Sequence, residues 1–159
     1  MYPSMIPLPE KTRESIAKEL NAVLADGLDL YSQIKVAHWN VKGPQFASFH
    51  TMFETFATGL AMHNDTVAER AVALGAIAVG TVRHAGRLSR LAEYPQDTTR
   101  GLDHVGLLAE RFETYLAGLR QARGVAEKAG DTDTVDVLTG AVTEFEKHGW
   151  FLRASLEGA

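Results

Sequence analysis

The chain of 159 residues has no cysteine. That excludes disulfides and thiolate metal sites, so any metal must take His, Asp, Glu or backbone oxygen. The start, MYPSMIPLPEKTRES, has neither the basic opening nor the long apolar run of a signal peptide. No segment nears the roughly 18 apolar residues that a membrane span needs, so no membrane partner is expected and a cytoplasmic location is. Basic excess is missing too: 16 Lys and Arg against 20 Asp and Glu leave a net charge of −4, which gives no support to a nucleic-acid partner. No stretch alternates with period two long enough to make a strand. Internal repeats and low-complexity tracts are also lacking.

What the chain does have is helical spacing along its whole length. After a tail at 1–9, residues 10–42 carry Ile16, Leu20, Val23, Leu24, Tyr31 and Ile34 at steps of three, four and seven. KGPQ at 42–45 breaks that helix, and Pro44 suits the first turn of a second one over 45–74. The second helix lines up Phe49, Phe53, Phe56, Leu60, Val67, Ala71 and Leu74. A long crossover, with a short helix at 82–90, leads to a third helix at 99–129 and a fourth at 132–156. Gly130 fits a C′ position and DTDT offers the next N-cap. Val142, Phe145, Trp150, Leu152 and Leu156 are expected in the core. The prediction is one all-α domain over 1–159, a four-helix bundle of ferritin-like connectivity.

The second helix also carries an arc of polar residues. At about 100° per residue with His50 at zero, Glu54 falls near 40°, Asp65 near 60° and Glu69 near 100°, well away from the apolar stripe. Ala57, Ala61 and Ala68, not Lys or Arg, lie between them, which predicts a covered face. Asp65 and Glu69 should repel each other, as no cation stands in register. Glu54 and Asp65 are about 16–17 Å apart along one helix, whereas metal–ligand bonds are about 2 Å. One ion therefore cannot reach both. The pairs 50/69 and 54/65 nevertheless share a midpoint at Gly59–Leu60. Two copies crossing antiparallel about a two-fold axis there bring His50 to Glu69 and Glu54 to Asp65 of the other copy. Gly59 and the alanines would allow the close approach. His38, near the turn between the first two helices, is either a hydrogen-bonded core residue or a further ligand. Two imidazoles and two or three carboxylates suit Fe(II) or another transition metal better than Ca²⁺ or Mg²⁺.

The motifs AHWNVKGPQF…FHTMF and HNDTVAERAVALG…GT, with YP at 94–95, DTDTVDVLT and the late HGWFL, resemble the Dps family of mini-ferritins. The resemblance covers nearly the whole chain. It implies a dodecameric shell built from two-fold dimers that oxidises Fe(II), preferably with hydrogen peroxide, and stores the ferric mineral (Fe²⁺/Fe³⁺), protecting against oxidative damage. By position it implies His38, His50 and Glu54 from one subunit and Asp65 and Glu69 from its mate. Trp39, beside His38, is either an electron donor when one iron acts alone or an ordinary core or interface aromatic. It also implies that Asp131, Asp133 and Asp136 line an ion channel, although carboxylates at a helix start serve equally as dipole partners. The family usually has Asp where this chain has Glu54, and Lys35 is placed to compete with a second ion. Ordinary ferritins place a Glu-x-x-His pair inside the bundle, and this chain has none. His63, His84, His104 and His148 lie off the arc and are expected to have surface or packing roles.

A nucleoid-compacting protein with little ferroxidase activity, and a plain bundle that merely oligomerises, are the competing readings. The termini argue against DNA, because neither is a basic tail: Lys11 and Arg13 face Glu10 and Glu14. Twelve copies at −4 each would carry about −48, which repels phosphate.

Overall fold

The structure is a computed structural model and is described here for residues 1–157. Five helices follow one another: α1 (Glu10–Asn40), α2 (Phe46–Ala73), α3 (Val82–Leu88), α4 (Gly101–Lys128) and α5 (Thr132–Leu156). The long helices form a four-helix bundle in which α1 packs chiefly on α2 and α4 on α5, while α1 also runs along α4 and α3 lies on α1. The expected apolar stripes meet at its centre, where Leu20, Ile34, Phe53, Phe56, Leu60, Phe112, Leu119, Leu138, Phe145 and Leu152 are all essentially inaccessible. Among the described residues no helix is long and apolar enough to cross a membrane.

Chain reversals follow local chemistry. α1 stops at Asn40 because Val41 is extended and Lys42 N–H donates to Thr99 O at 2.7 Å, tying the turn to the crossover. Gly43 then takes a φ of 113°, which few other residues adopt. Pro44 lies outside the helix it was expected to start, since Gln45 is the N-cap of α2 and Phe46 its first residue. At the end of α4, Gly130 N–H reaches Glu127 O and Asp131 N–H reaches Ala126 O, both at 3.0 Å. That is a Schellman closure, with the predicted glycine at a φ of 74°.

Two anchors fix the crossover. Asp26, fully buried in α1, accepts from Arg90 N at 2.8 Å and from its guanidinium Nε at 2.9 Å. Tyr94 is held by His104 Nδ1 at 2.6 Å from its hydroxyl, with the Arg111 guanidinium 5.7 Å above its ring. The N-terminal segment is pinned as well: Tyr2 N–H donates to Gly75 O at 2.6 Å, and Ser4 Oγ to Ala73 O at 2.6 Å.

Several residues depart from expectation. Tyr31 and Trp150 are not core: they are 37% and 62% exposed, because each stands on the outer side of its helix. Leu156, at the end of α5, is only half-buried. Ala57, by contrast, is 1% exposed and belongs to the core, which leaves Ala61 and Ala68 to space the polar arc.

Candidate metal centre

The 41–45 turn brings the last turn of α1 against the first turns of α2, and so brings His38 to His50. Their rings stack with centroids 3.7 Å apart. Each Nδ1 lies by the other residue's carbonyl, His38 Nδ1 at 2.8 Å from His50 O and His50 Nδ1 at 2.9 Å from His38 O. A carbonyl only accepts, so both rings carry their proton on Nδ1. The His38 carbonyl is one of the groups that the end of α1 leaves without an intrahelical partner, so the same bond caps the helix and fixes the tautomer. Both Nε2 lone pairs are thereby released for a metal.

Glu54, one turn beyond His50, completes this half of the site. Its carboxylate is 3.3 Å from His38 Nε2 and contacts the Lys35 ammonium. The hydrogen bond from Lys35 holds the carboxyl below the usual carboxylate range, opposed by partial desolvation and helped by the charge of Lys35. Lys35 thus stands beside Glu54, the position from which the sequence reading expects it to compete with a second ion. Trp39 is adjacent but 67% exposed, and lines an open cleft with Tyr31, Lys35 and Val82.

Asp65 and Glu69 are not brought to these residues. They follow Glu54 by eleven and fifteen positions on the same helix, about 16 and 22 Å along its axis. Both are exposed, and neither forms an ion pair among the described residues. Asp65 borders a groove of about 410 Å³ walled by Leu24, Leu28, Tyr31, Ala61 and Ala68. Among the described residues no three His, Asp or Glu side chains of one chain converge as an ion requires.

The aspartates of α5 divide. Asp131 is 4% exposed and turned inward, accepting from Thr134 N at 3.2 Å and from Arg70 Nη2 at 2.7 Å. Arg70 Nε also donates to Thr134 Oγ1 at 2.8 Å. Within the chain Asp131 is therefore a helix cap and ion-pair partner. Asp133 and Asp136 remain exposed. Gly59 has a different neighbour from the one expected: an added Cβ would come 2.2 Å from Glu144 Oε1 of the same chain, so its smallness serves α5. The pattern Asp-x-x-Thr at 131–134 was the available signal for the cap. Nothing in sequence spacing pointed to Arg70 or Glu144.

A family model for the ferritin-like domain matches residues 17–158. The DNA protection during starvation protein of Agrobacterium fabrum is 38% identical over 150 residues, covering 94% of this chain and 93% of that protein. The chain belongs to the Dps family of ferritin-like proteins. DNA protection during starvation protein 2 of Bacillus anthracis is 35% identical, with 90% of this chain and 97% of the relative covered. Among solved structures, the Dps protein from Vibrio cholerae O1 superposes with a TM-score of 0.92 at 27% identity, over 99% of this chain and 98% of that one. It is described as a member of a broad superfamily of ferritin-like diiron-carboxylate proteins. DpsA14 from Streptomyces coelicolor gives a TM-score of 0.93 at 30% identity, over 99% and 93% of the two chains.

Proposed function

We propose that this Dps-family protein binds Fe(II) at a centre shared by two copies, oxidises it with hydrogen peroxide, and stores the ferric product inside a twelve-subunit shell. The observation that carries this reading is the reciprocal His38–His50 bonding, which frees two imidazole lone pairs beside Glu54 with no acceptor duty left for them. The second supporting fact is the complement: Asp65 and Glu69 stand exposed and uncompensated further along the helix. An antiparallel two-fold crossing of α2 brings these halves together, and it delivers two identical centres per dimer.

The donor set fits iron. Neutral imidazoles capture Fe(II), while hard carboxylates stabilise Fe(III) more than Fe(II) and so favour electron loss. Two Fe(II) give one electron each to one peroxide, which with two protons leaves as two waters, so no hydroxyl radical is released. Trp39, beside His38, would supply the second electron when only one iron is present. Asp133 and Asp136 would attract the incoming cation at the shell surface.

Complementation of paired defects tests the shared centre. His50→Ala and Glu69→Ala subunits are each expected to lose peroxide-driven Fe(II) oxidation. Co-assembled in equal amounts, they should recover about a quarter of wild-type activity, since half the dimers are mixed and each mixed dimer has one intact centre. A centre lying within one subunit would recover none, and that result rejects the shared site. Wild-type protein that oxidises Fe(II) no faster than buffer rejects the function itself.

A further inference from the structure

A polar assembly between α2 and α5 is not used by the shared centre. Glu144 lies against the α2 backbone at Gly59, where an added Cβ would come 2.2 Å from its Oε1. His63 Nε2 is 2.9 Å from Glu144 Oε2. His148, one turn further along α5, is 3% exposed. Its Nε2 nevertheless stops 3.8 Å from Glu144 Oε1, beyond hydrogen-bond reach, and its Nδ1 has no partner.

Glu144 also joins two clefts. One, of about 410 Å³, leads to Glu54 past Thr55 and Thr58. The other, of about 690 Å³, leads to Asp136 past Thr143 and Thr139. The hydroxyls of Thr55, Thr139 and Thr143 donate to carbonyls one turn back, at 3.1, 2.8 and 2.9 Å. Their oxygen lone pairs therefore face the clefts, which offer hard oxygen between three carboxylates.

We propose that Glu144 and His63 form a transit site for Fe(II), and that the threonine-lined groove passes the ion between Asp136 and Glu54. This rests on the iron reading above. A transit site must release what it binds, so two protein ligands completed by water suit it; among the described residues no group of three His, Asp or Glu converges to trap the ion. Eight residues of α5 separate Asp136 from Glu144, about 12 Å, and five of α2 separate Glu54 from Gly59, about 7.5 Å. A hydrated ion thus travels within about one Debye length of a carboxylate throughout. Lys147, which also lines the outer cleft, offsets one of the two negative charges there and keeps the binding weak.

Crystals soaked in Co(II), which peroxide-free buffer leaves divalent, should show an anomalous peak between Glu144 and His63, absent in Glu144→Gln. Stopped-flow oxidation at substoichiometric Fe(II) should slow by at least about threefold in Glu144→Gln and in His63→Gln, which keeps a hydrogen-bonding head group. The Fe(II) bound at equilibrium by the shared centre should not change, and unchanged thermal melting excludes misfolding as the cause. No peak at Glu144 overturns the proposal, and so does wild-type speed in both variants. Either result leaves the iron reading intact if the wild type oxidises Fe(II). An inactive wild type brings down both.

Discussion

At the residue scale, the chemistry of the centre is set by which atom of each side chain is already engaged. His38 and His50 give up Nδ1 to backbone carbonyls and keep Nε2. Glu54 is engaged by Lys35, whose hydrogen bond holds its carboxyl below the ordinary range. The sign follows: the folded chain favours the ionised carboxylate, so the pairing acts fully above the unfolded value and is lost only as pH falls through the depressed one. In Lys35→Met, the Glu54 titration followed by carboxyl NMR of the metal-free protein should move up toward the ordinary value. The same change removes the ammonium beside Glu54, so, if Lys35 competes with a second ion, equilibrium titration should find more Fe(II) bound per centre. Unaltered stoichiometry would mean that Lys35 does not compete. The sequence made Lys35 legible, one turn before His38, but the tautomers could not be read from it because they depend on two carbonyls across a turn.

At the element scale, the four long helices were readable because apolar spacing of three and four repeats over 25 residues or more in each. Their packing partners for polar groups were not. Asp131 illustrates the difference: its place at the head of α5 was visible, and its inward ion pair with Arg70, sixty-one positions earlier, was not. Removing it leaves a largely buried guanidinium without its partner. Asp131→Ala is therefore expected to cost about 3–5 kcal/mol in chemical denaturation, well beyond the ~1 kcal/mol of a helix cap alone. Asp133→Asn with Asp136→Asn should leave stability within about 0.5 kcal/mol, as exposed changes do, yet slow Fe(II) uptake at low salt. Equal uptake in that double variant would argue that these two residues only complement the helix dipole.

At the scale of the whole molecule, net charge and exposed surface decide partners. With −4 per chain and residues Tyr2 and Ser4 pinned to the end of α2, an assembly should not retard DNA in a gel at low salt without Mg²⁺. Strong retardation would reveal a local basic surface that overrides the total charge. The outer face of α2, with Thr58, Ala61, Met62, Asp65 and Glu69 exposed and Tyr31 and Trp39 beside it, is the surface on which the two-fold contact is expected. Measured mass in dilute solution checks it: Met62→Glu should shift the protein toward monomer and remove oxidation activity together, since the proposed centre draws ligands from the second copy.

The sequence by itself determined the helical class, the bundle connectivity and the identity of the arc, because these depend on periodicity and on residues a few positions apart. On the proposed reading a second copy is needed, since the length of a straight helix keeps Asp65 and Glu69 from His50 and Glu54 of the same chain. Tertiary structure alone decided which side chains are spent on the fold. Asp131, Gly59 and Ala57 are engaged in the packing of α2 against α5 and the core, while Glu144, His63 and His148 came together across eighty-one residues or more of chain. Contacts of that kind are set by how helices lie against each other, and no local spacing encodes them.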